Sequence, residues 1–268
     1  MENITVRVFI TTYKNIPYLT KVLQSLELQT FKDFTVSILE DGSEHELRDY
    51  LSKQLFPFQV EHFDQEDKGF RKNRILNIGI SNANEDLIIF LDEDCILHPN
   101  FIEQYVKNFD KNTIGFAKRV NLDEETTKQI LASSEYKKPS LLPLFFRKAN
   151  HIEDGVYLPF KKPNKTDNPK LLGCNMAIPL GLLKKVNGFD EDYESPGYGE
   201  DSDIQWRLQK EGARFLKMKH LCIQYHLHHE RPNREDQTAI SRELFKKKQA
   251  QGLTFCQNGL KIVDKYLY

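Results

Sequence analysis

LIIFLDEDCI, residues 87–96, sets five apolar residues directly against three consecutive acids, Asp92, Glu93 and Asp94. A short apolar run bounded by charge reads as a buried strand. Like charges at its end repel one another and lose hydration. The strand therefore either stops at the surface or meets a cation there.

The flanking sequence places this strand in an α/β fold. VRVFITTY (6–13) is a second buried strand, and NIPYLTKVLQSLELQ follows with Ile16, Leu19, Val22, Leu23 and Leu26 at helical spacing. FTVSILEDGS adds a strand ending on Glu40, Asp41 and Gly42. Strand, helix and strand at this spacing form a βαβ unit, so the sheet is expected to be parallel here. GFRKNRILNIGISNA and HPNFIEQYVKNFD read as further helices, the second with Pro99 in its first turn. Two strands thus end in acids, and ligands of open α/β sheets sit beyond such ends.

Residues 135–170 break the pattern. They hold eight Lys/Arg against four acids, five prolines and the pair Phe145–Phe146. This is expected to be a loop excursion outside the sheet, either a solvated loop with an apolar foot or a lid over an acceptor. Beyond it, LLGCNMAIPLGLLKKVNGFDE contains a strand and a helix closed by Gly188. GYGEDSDIQWRLQKEGARFLKMKH contains a helix that begins with acids and ends at Gly212. LCIQYHLHHE reads as a strand, and the tail from 234, with seven Lys/Arg and four acids, as a helix with a loosely packed end.

Several residue sets suggest chemistry. On an extended segment, Asp92 and Asp94 would point the same way, with Glu93 facing elsewhere. Such oxygens suit a hard divalent cation, Mg²⁺ or Mn²⁺. His226 and His228 share the same i, i+2 spacing and read either as a surface histidine cluster or as donors of an imidazole to the same metal, which would favour Mn²⁺. Glu200, Asp201 and Asp203 start a helix, where helix capping alone accounts for acids. A carboxylate there is also placed to take a proton from a hydroxyl. Asp41 and Asp67 offer acceptors to a ribose or base, or serve as turn residues. Arg71 and Lys72 open the next helix and are placed either to meet phosphate or simply to be solvated at the surface.

Bulk properties limit the partners. The 268 residues carry a net charge of −1, which argues against nucleic acid. The four cysteines form no CxxC pair and read as reduced packing residues in a cytoplasmic protein. No signal peptide is read at the N-terminus, and no apolar run approaches the ~20 residues that span a bilayer. Any membrane contact would be peripheral, at the inner face.

Taken together, the blocks resemble a known family. FITTYKNIPYLTKVLQSLELQTFKDFTVSILEDGS, QEDKGFRKNRILNIGI and LIIFLDEDC are similar to the opening of family 2 glycosyltransferases. GCNMAIPLGLLKKVNGFDEDYESPGYGEDSDIQWRLQKEG resembles the galactosyltransferase-type C-terminal region found in chondroitin-polymerase-like enzymes. The resemblance implies a single GT-A domain around a mixed sheet over 1–233, with a nucleotide half (1–110), an acceptor half (111–233) and a helical tail (234–268). It implies that Asp92 and Asp94 are the DxD motif, with Asp94 the direct metal ligand and Asp92 nearer the ribose. Thr11, Tyr13, Asp41, Asp67, Arg71 and Glu93 would line the nucleotide-sugar. Asp201 would be the general base and Glu200 an acceptor-binding acid. His226, with His228 as second choice, would be a further metal ligand. The implied reaction is inverting, metal-dependent transfer from a UDP-sugar to a glycan or lipid-linked glycan. Thr11 stands where many relatives have proline, and Glu40 where Asp is commoner. ESPGYGED lacks the GWGG of some relatives, which leaves Tyr198 or Trp206 as the aromatic platform. A retaining transferase, a nucleotidyltransferase or a non-catalytic glycan binder on this sheet are the competing readings.

Overall fold

The computed structural model describes residues 4–43, 45–230 and 235–263. Its strands are β1 (Val6–Thr12), β2 (Phe34–Asp41), β3 (Gln59–Gln65), β4 (Leu87–Asp92), β5 (Cys95–Leu97), β6 (Thr113–Phe116), β7 (Val120–Asn121), β8 (Asn164–Lys165), β9 (Met176–Pro179), β10 (Arg214–Lys217) and β11 (Gln224–His226). Its helices are α1 (Ile16–Glu27), α2 (His45–Ser52), α3 (Lys72–Ser81), α4 (Phe101–Lys107), α5 (Glu124–Ala132), α6 (Leu141–Phe145), α7 (Leu180–Lys185), α8 (Glu200–Lys210), α9 (Glu235–Ala250) and α10 (Leu260–Val263). The main sheet runs β3-β2-β1-β4-β9-β6-β10-β8, and a small sheet runs β5-β11-β7.

The βαβ expectation holds: β1 pairs in parallel with both β2 and β4, and β2 with β3. β9 then runs antiparallel between β4 and β6, so the sheet is mixed. The apolar runs are continuous because both sheet faces are covered. Val8, Ile10, Ile89 and Leu91 face one way, beneath Leu19, Val22, Leu23 and Leu26 of α1. Phe9, Ile88 and Phe90 face the other way, against Ile75 and Ile80 of α3 and Leu183 of α7. Each such buried side chain contributes about 1.5–3 kcal/mol. Asn15 caps α1 by accepting from the Tyr18 N–H at 3.3 Å.

The excursion differs in part from its expectation. It contributes β8, which pairs antiparallel with β10 at the sheet edge. Its apolar foot is Leu144 and Tyr136, both buried, while Phe145 and Phe146 face solvent. The tail is also better packed than expected. Cys256 is buried, and the Leu260 N–H donates to the Asn187 carbonyl at 3.1 Å. Residues 264–268, and the expected domain boundary at 233/234, lie outside the described residues. All four cysteines are buried and free. Among the described residues no helix is long and apolar enough to cross a membrane.

Candidate active site

β4 leaves the sheet at Asp92, and Glu93 and Asp94 turn before β5 begins. That turn overturns the extended-segment expectation, because the two aspartates no longer point alike. Asp92 Oδ1 accepts from Thr11 Oγ1 and from Lys72 Nζ, each at 2.7 Å. Asp94 faces the small sheet, with Oδ2 3.1 Å from His226 Nε2 and 3.2 Å from His229 Nε2. Glu93 lies between them and accepts from the Tyr13 N–H at 3.1 Å and from Thr12 Oγ1. Burial, reinforced by Asp94 and Asp92, pushes its carboxyl up to about 8.

Register explains the histidine. β11 runs antiparallel to β5 with His226 opposite Cys95, and the Leu227 N–H donates to the Asp94 carbonyl at 2.8 Å. β11 stops at His226, so period-two alternation does not carry on to His228. The His228 N–H donates to Thr127 Oγ1, and its carbonyl accepts from Tyr18 O–H, both at 2.8 Å. His229 comes round instead, its ring 5.1 Å from that of His226. It therefore takes the place expected for His228.

Asp94, His226 and His229 each bring a ligand atom within 4.8 Å of the others, and Asp92 stands outside that group. Burial lowers the proton affinity of the His226 imidazole against the pull of Asp94. Burial opposes the charge on Asp94 too, but bonds to both imidazoles hold its carboxyl well below the usual range. One carboxylate and two imidazoles form a nitrogen-rich donor set that fits a borderline divalent ion.

The acids of α8 reach the opposite side. The helix starts from Gly199 at φ +110, where a Cβ would stand 2.2 Å from Tyr193 Cδ1. Glycine is required there by backbone conformation and contact, not for flexibility. Lys72 Nζ lies 3.9 Å from Glu200 Oε1 as well as against Asp92. Burial works against its charge, but Asp92, Glu200 and Asp201 hold its pKa well above the ordinary lysine value. Asp201 Oδ2 accepts from the Gly173 N–H at 2.9 Å. Desolvation raises the Asp201 carboxyl, with Lys72 pulling against it. Asp203 belongs to the core, where it is 2.6 Å from Arg207 Nε.

The remaining expected residues form a nearby rim. Asp67 accepts from Tyr13 O–H at 3.2 Å and pairs with Lys14 Nζ at 3.0 Å. Asp41 accepts from Gln65 Nε2 at 2.7 Å and from the Arg71 N–H at 2.8 Å, so it shapes the turn into α3. The Arg71 guanidinium bonds the Glu66 carbonyl. Tyr198 and Trp206 both pack edge-on against Phe245 of α9, at 5.8 and 6.4 Å. The two candidate aromatic platforms are thus half covered by the tail helix.

Arg119 was not singled out by sequence. Its Nη1 lies 3.0 Å from Cys174 Sγ; burial works against its charge, but Cys174, Cys95, Asp94 and Asp92 hold its pKa above the ordinary arginine value. A cavity of about 830 Å³ opens beside the centre, with His226, His228 and His229 on one wall and Asn121, Asp123 and Arg147 on others.

Comparison with known proteins follows this geometry. Residues 7–165 match the glycosyl transferase family 2 model, and residues 160–230 match one described as the N-terminal domain of galactosyltransferase. The chain is 28% identical over 257 residues to a chondroitin synthase of Pasteurella multocida (strain Pm70), covering 88% of this chain and 26% of that protein. A hyaluronan synthase of Pasteurella multocida is 26% identical over 257 residues, again with 88% and 26% covered. The chain thus spans about a quarter of the length of these curated relatives. The crystal structure of GalNAc-T7 with UDP, GalNAc and Mn²⁺ superposes with a TM-score of 0.62 at 16% identity, covering 97% of this chain and 56% of that one. The chain belongs to glycosyl transferase family 2 and has a GT-A fold.

Proposed function

We propose that the chain moves a hexose or N-acetylhexosamine from a UDP-sugar to a hydroxyl of a glycan or lipid-linked glycan, with inversion, in the synthesis of a surface polysaccharide. Support comes from the placement of Asp201 and Glu200 across Lys72 from Asp92, which sets acceptor-side acids against nucleotide-side acids. The relatives named for chondroitin and hyaluronan synthesis favour a polysaccharide product. Residues 1–110 act as the nucleotide half and 111–233 as the acceptor half, with 234–268 as the tail.

Thr11, Tyr13, Asp67 and Arg71 receive the nucleotide on the rim, with Asp41 holding the turn beneath it. Asp94, His226 and His229 would hold a divalent cation, Mn²⁺ ahead of Mg²⁺, whose positive charge suits a departing diphosphate. Asp92 orients the ribose side and pairs with Lys72. Glu93 holds the Thr12 hydroxyl and the Tyr13 N–H at the sugar side. Asp201 Oδ1 takes the proton of the acceptor hydroxyl while Oδ2 stays on the Gly173 N–H, and Glu200 positions that hydroxyl. Attack from the face opposite the leaving group inverts the anomeric centre. The setting is the cytoplasmic side of the cell.

A panel of UDP-sugars with an oligosaccharide acceptor and Mn²⁺, read by NMR of the product anomer, tests this reading. Asp201→Asn is expected to lower turnover by about 10²–10⁴ while UDP binding survives. Wild-type turnover in that variant, or a retained anomer, would remove Asp201 as base. Release of inorganic pyrophosphate would point to a nucleotidyltransferase, and donor binding without turnover to a glycan-binding role.

A further inference from the structure

The basic excursion carries a surface that the transfer chemistry leaves unused. Phe145, Phe146 and Phe160 are 73%, 80% and 98% exposed, and Leu142, Val156 and Leu158 also face solvent. Scattered exposed apolar residues need no account, but a group rimmed by charge marks an interaction surface. These six come from two segments that meet at one turn. Leu141 Cδ2 lies 2.6 Å from where a Gly155 Cβ would stand, and Val156 follows that glycine. The Phe145 and Phe146 rings meet edge to face at 5.6 Å. The mounts are firm: Leu144 is buried, Tyr157 O–H accepts from Gln104 Nε2 at 2.9 Å, and the Leu158 N–H donates to the His220 carbonyl at 2.9 Å.

The excursion is predominantly positive, with eight Lys/Arg against four acids over 135–170. Lys137, Lys138, Lys148, Lys161 and Lys162 have no acidic partner within ion-pair distance among the described residues. Of the four acids in 135–170, Asp154 is buried and taken by Lys219 at 3.1 Å, while Glu135, Glu153 and Asp167 are exposed and leave the segment a net positive charge. Exposed aromatic rings on a segment of net positive charge match a headgroup interface that is apolar below and anionic at its surface.

We propose that this face docks on an anionic lipid surface, with Phe145, Phe146 and Phe160 entering the headgroup boundary and the lysines meeting phosphate. A second copy of the chain would set lysines against lysines, so charge disfavours self-association through this patch. Arg147 and Lys148 also line the 830 Å³ cavity that reaches His226 and His229, so docking would bring the bilayer to its rim. The inference stands apart from the transfer reaction, and its test does not read activity.

The whole chain is sedimented with vesicles of phosphatidylcholine alone and with phosphatidylglycerol added, at low and high salt. Binding is expected only to the anionic vesicles and to weaken with salt. The triple variant F145S/F146S/F160S is expected to lower the partition coefficient about tenfold or more. Lys161→Gln with Lys162→Gln is expected to lower it about fivefold per lysine. Both variants should keep the wild-type melting temperature, since Phe145, Phe146, Phe160 and Lys162 are exposed and Lys161 is only half-buried. Absence of binding to anionic vesicles would overturn the proposal. So would binding that the triple variant leaves unchanged, because it would then be a polyanion contact of the kind a soluble acidic glycan makes. A lipid-free dimer that the triple variant makes monomeric would assign the patch to a second copy instead.

Discussion

Gly173 and Asp201 are locked together across 28 residues of chain: the Gly173 N–H donates to Asp201 Oδ2 at 2.9 Å. A Cβ on residue 173 would stand 2.6 Å from Asp201 Oδ1. The loop before β9 thus both bonds one carboxylate oxygen and leaves just enough room for the other.

Gly173→Ala is therefore expected to push the Asp201 carboxylate off its position. Turnover should fall about 10²-fold with the melting temperature and UDP affinity nearly unchanged. Calorimetric UDP titration beside a turnover assay checks this, and wild-type turnover would show that Asp201 needs no such seat.

Lys72 is the cation shared by Asp92, Glu200 and Asp201. Lys72→Met leaves those acids to repel one another, so UDP affinity and turnover should both drop by at least about tenfold. Lys72→Arg should recover part of the loss. Equal behaviour of the two variants would mean that side-chain bulk, not charge, is what the site uses.

The two histidines after β11 have separable expectations. His229→Ala should weaken Mn²⁺ binding at least about tenfold, whereas His228→Ala should stay near wild type. Titration of Mn²⁺ by electron paramagnetic resonance reads both without any donor present. A larger effect at His228 would contradict the observed turn.

His98 provides a pH test away from the centre. Burial, with Lys138 nearby, lowers its imidazole to about 4, and Nδ1 accepts from the Asn100 N–H at 3.2 Å. A depressed base binds more protons unfolded than folded. The stability it allows is complete above about pH 6.5 and is lost as pH falls toward 4. Urea unfolding at pH 7 and pH 5 should show a loss of about 1–2 kcal/mol beyond that of His98→Gln. Parallel curves for the two proteins would exclude His98 as the cause.

Arg207 tests the core that carries α8. It is fully buried, bonded to Asp203 at 2.6 Å and to the Val186 and Gly188 carbonyls at 2.7 and 2.8 Å. Arg207→Met strands a buried carboxylate and should cost about 3–5 kcal/mol in chemical denaturation. Asp203→Asn in the Arg207→Met background should return part of it.

How much was legible depended on how local the signal was. β1, β2 and β4 were readable because Val8, Ile10, Ile89 and their neighbours sit in continuous apolar runs. β3 escaped notice because QVEHFDQ at the sheet edge is half exposed and reads as polar. β7 and β8 are two residues each, too short to print a period. Thr11, Asp92, Asp94, Glu200, Asp201 and His226 were named from motif position, and the fold does bring them to one edge. His229 was missed because counting by twos assumed that β11 ran on past His226. Arg119 was missed because nothing near it in sequence marks it; only the approach of Cys174 and Asp94 gives it a setting.

Sequence by itself determined the α/β class, the parallel pairing of the first strands and the acids at their ends. Hydrophobic period and strand-end composition are properties of neighbouring residues, so a linear reading carries them. Only the tertiary structure decided that Asp92 turns toward Lys72 while Asp94 turns toward His226 and His229. One turn at Glu93–Asp94 and the register of β11 on β5 set those directions, and contacts between segments more than 100 residues apart follow geometry that no local pattern encodes.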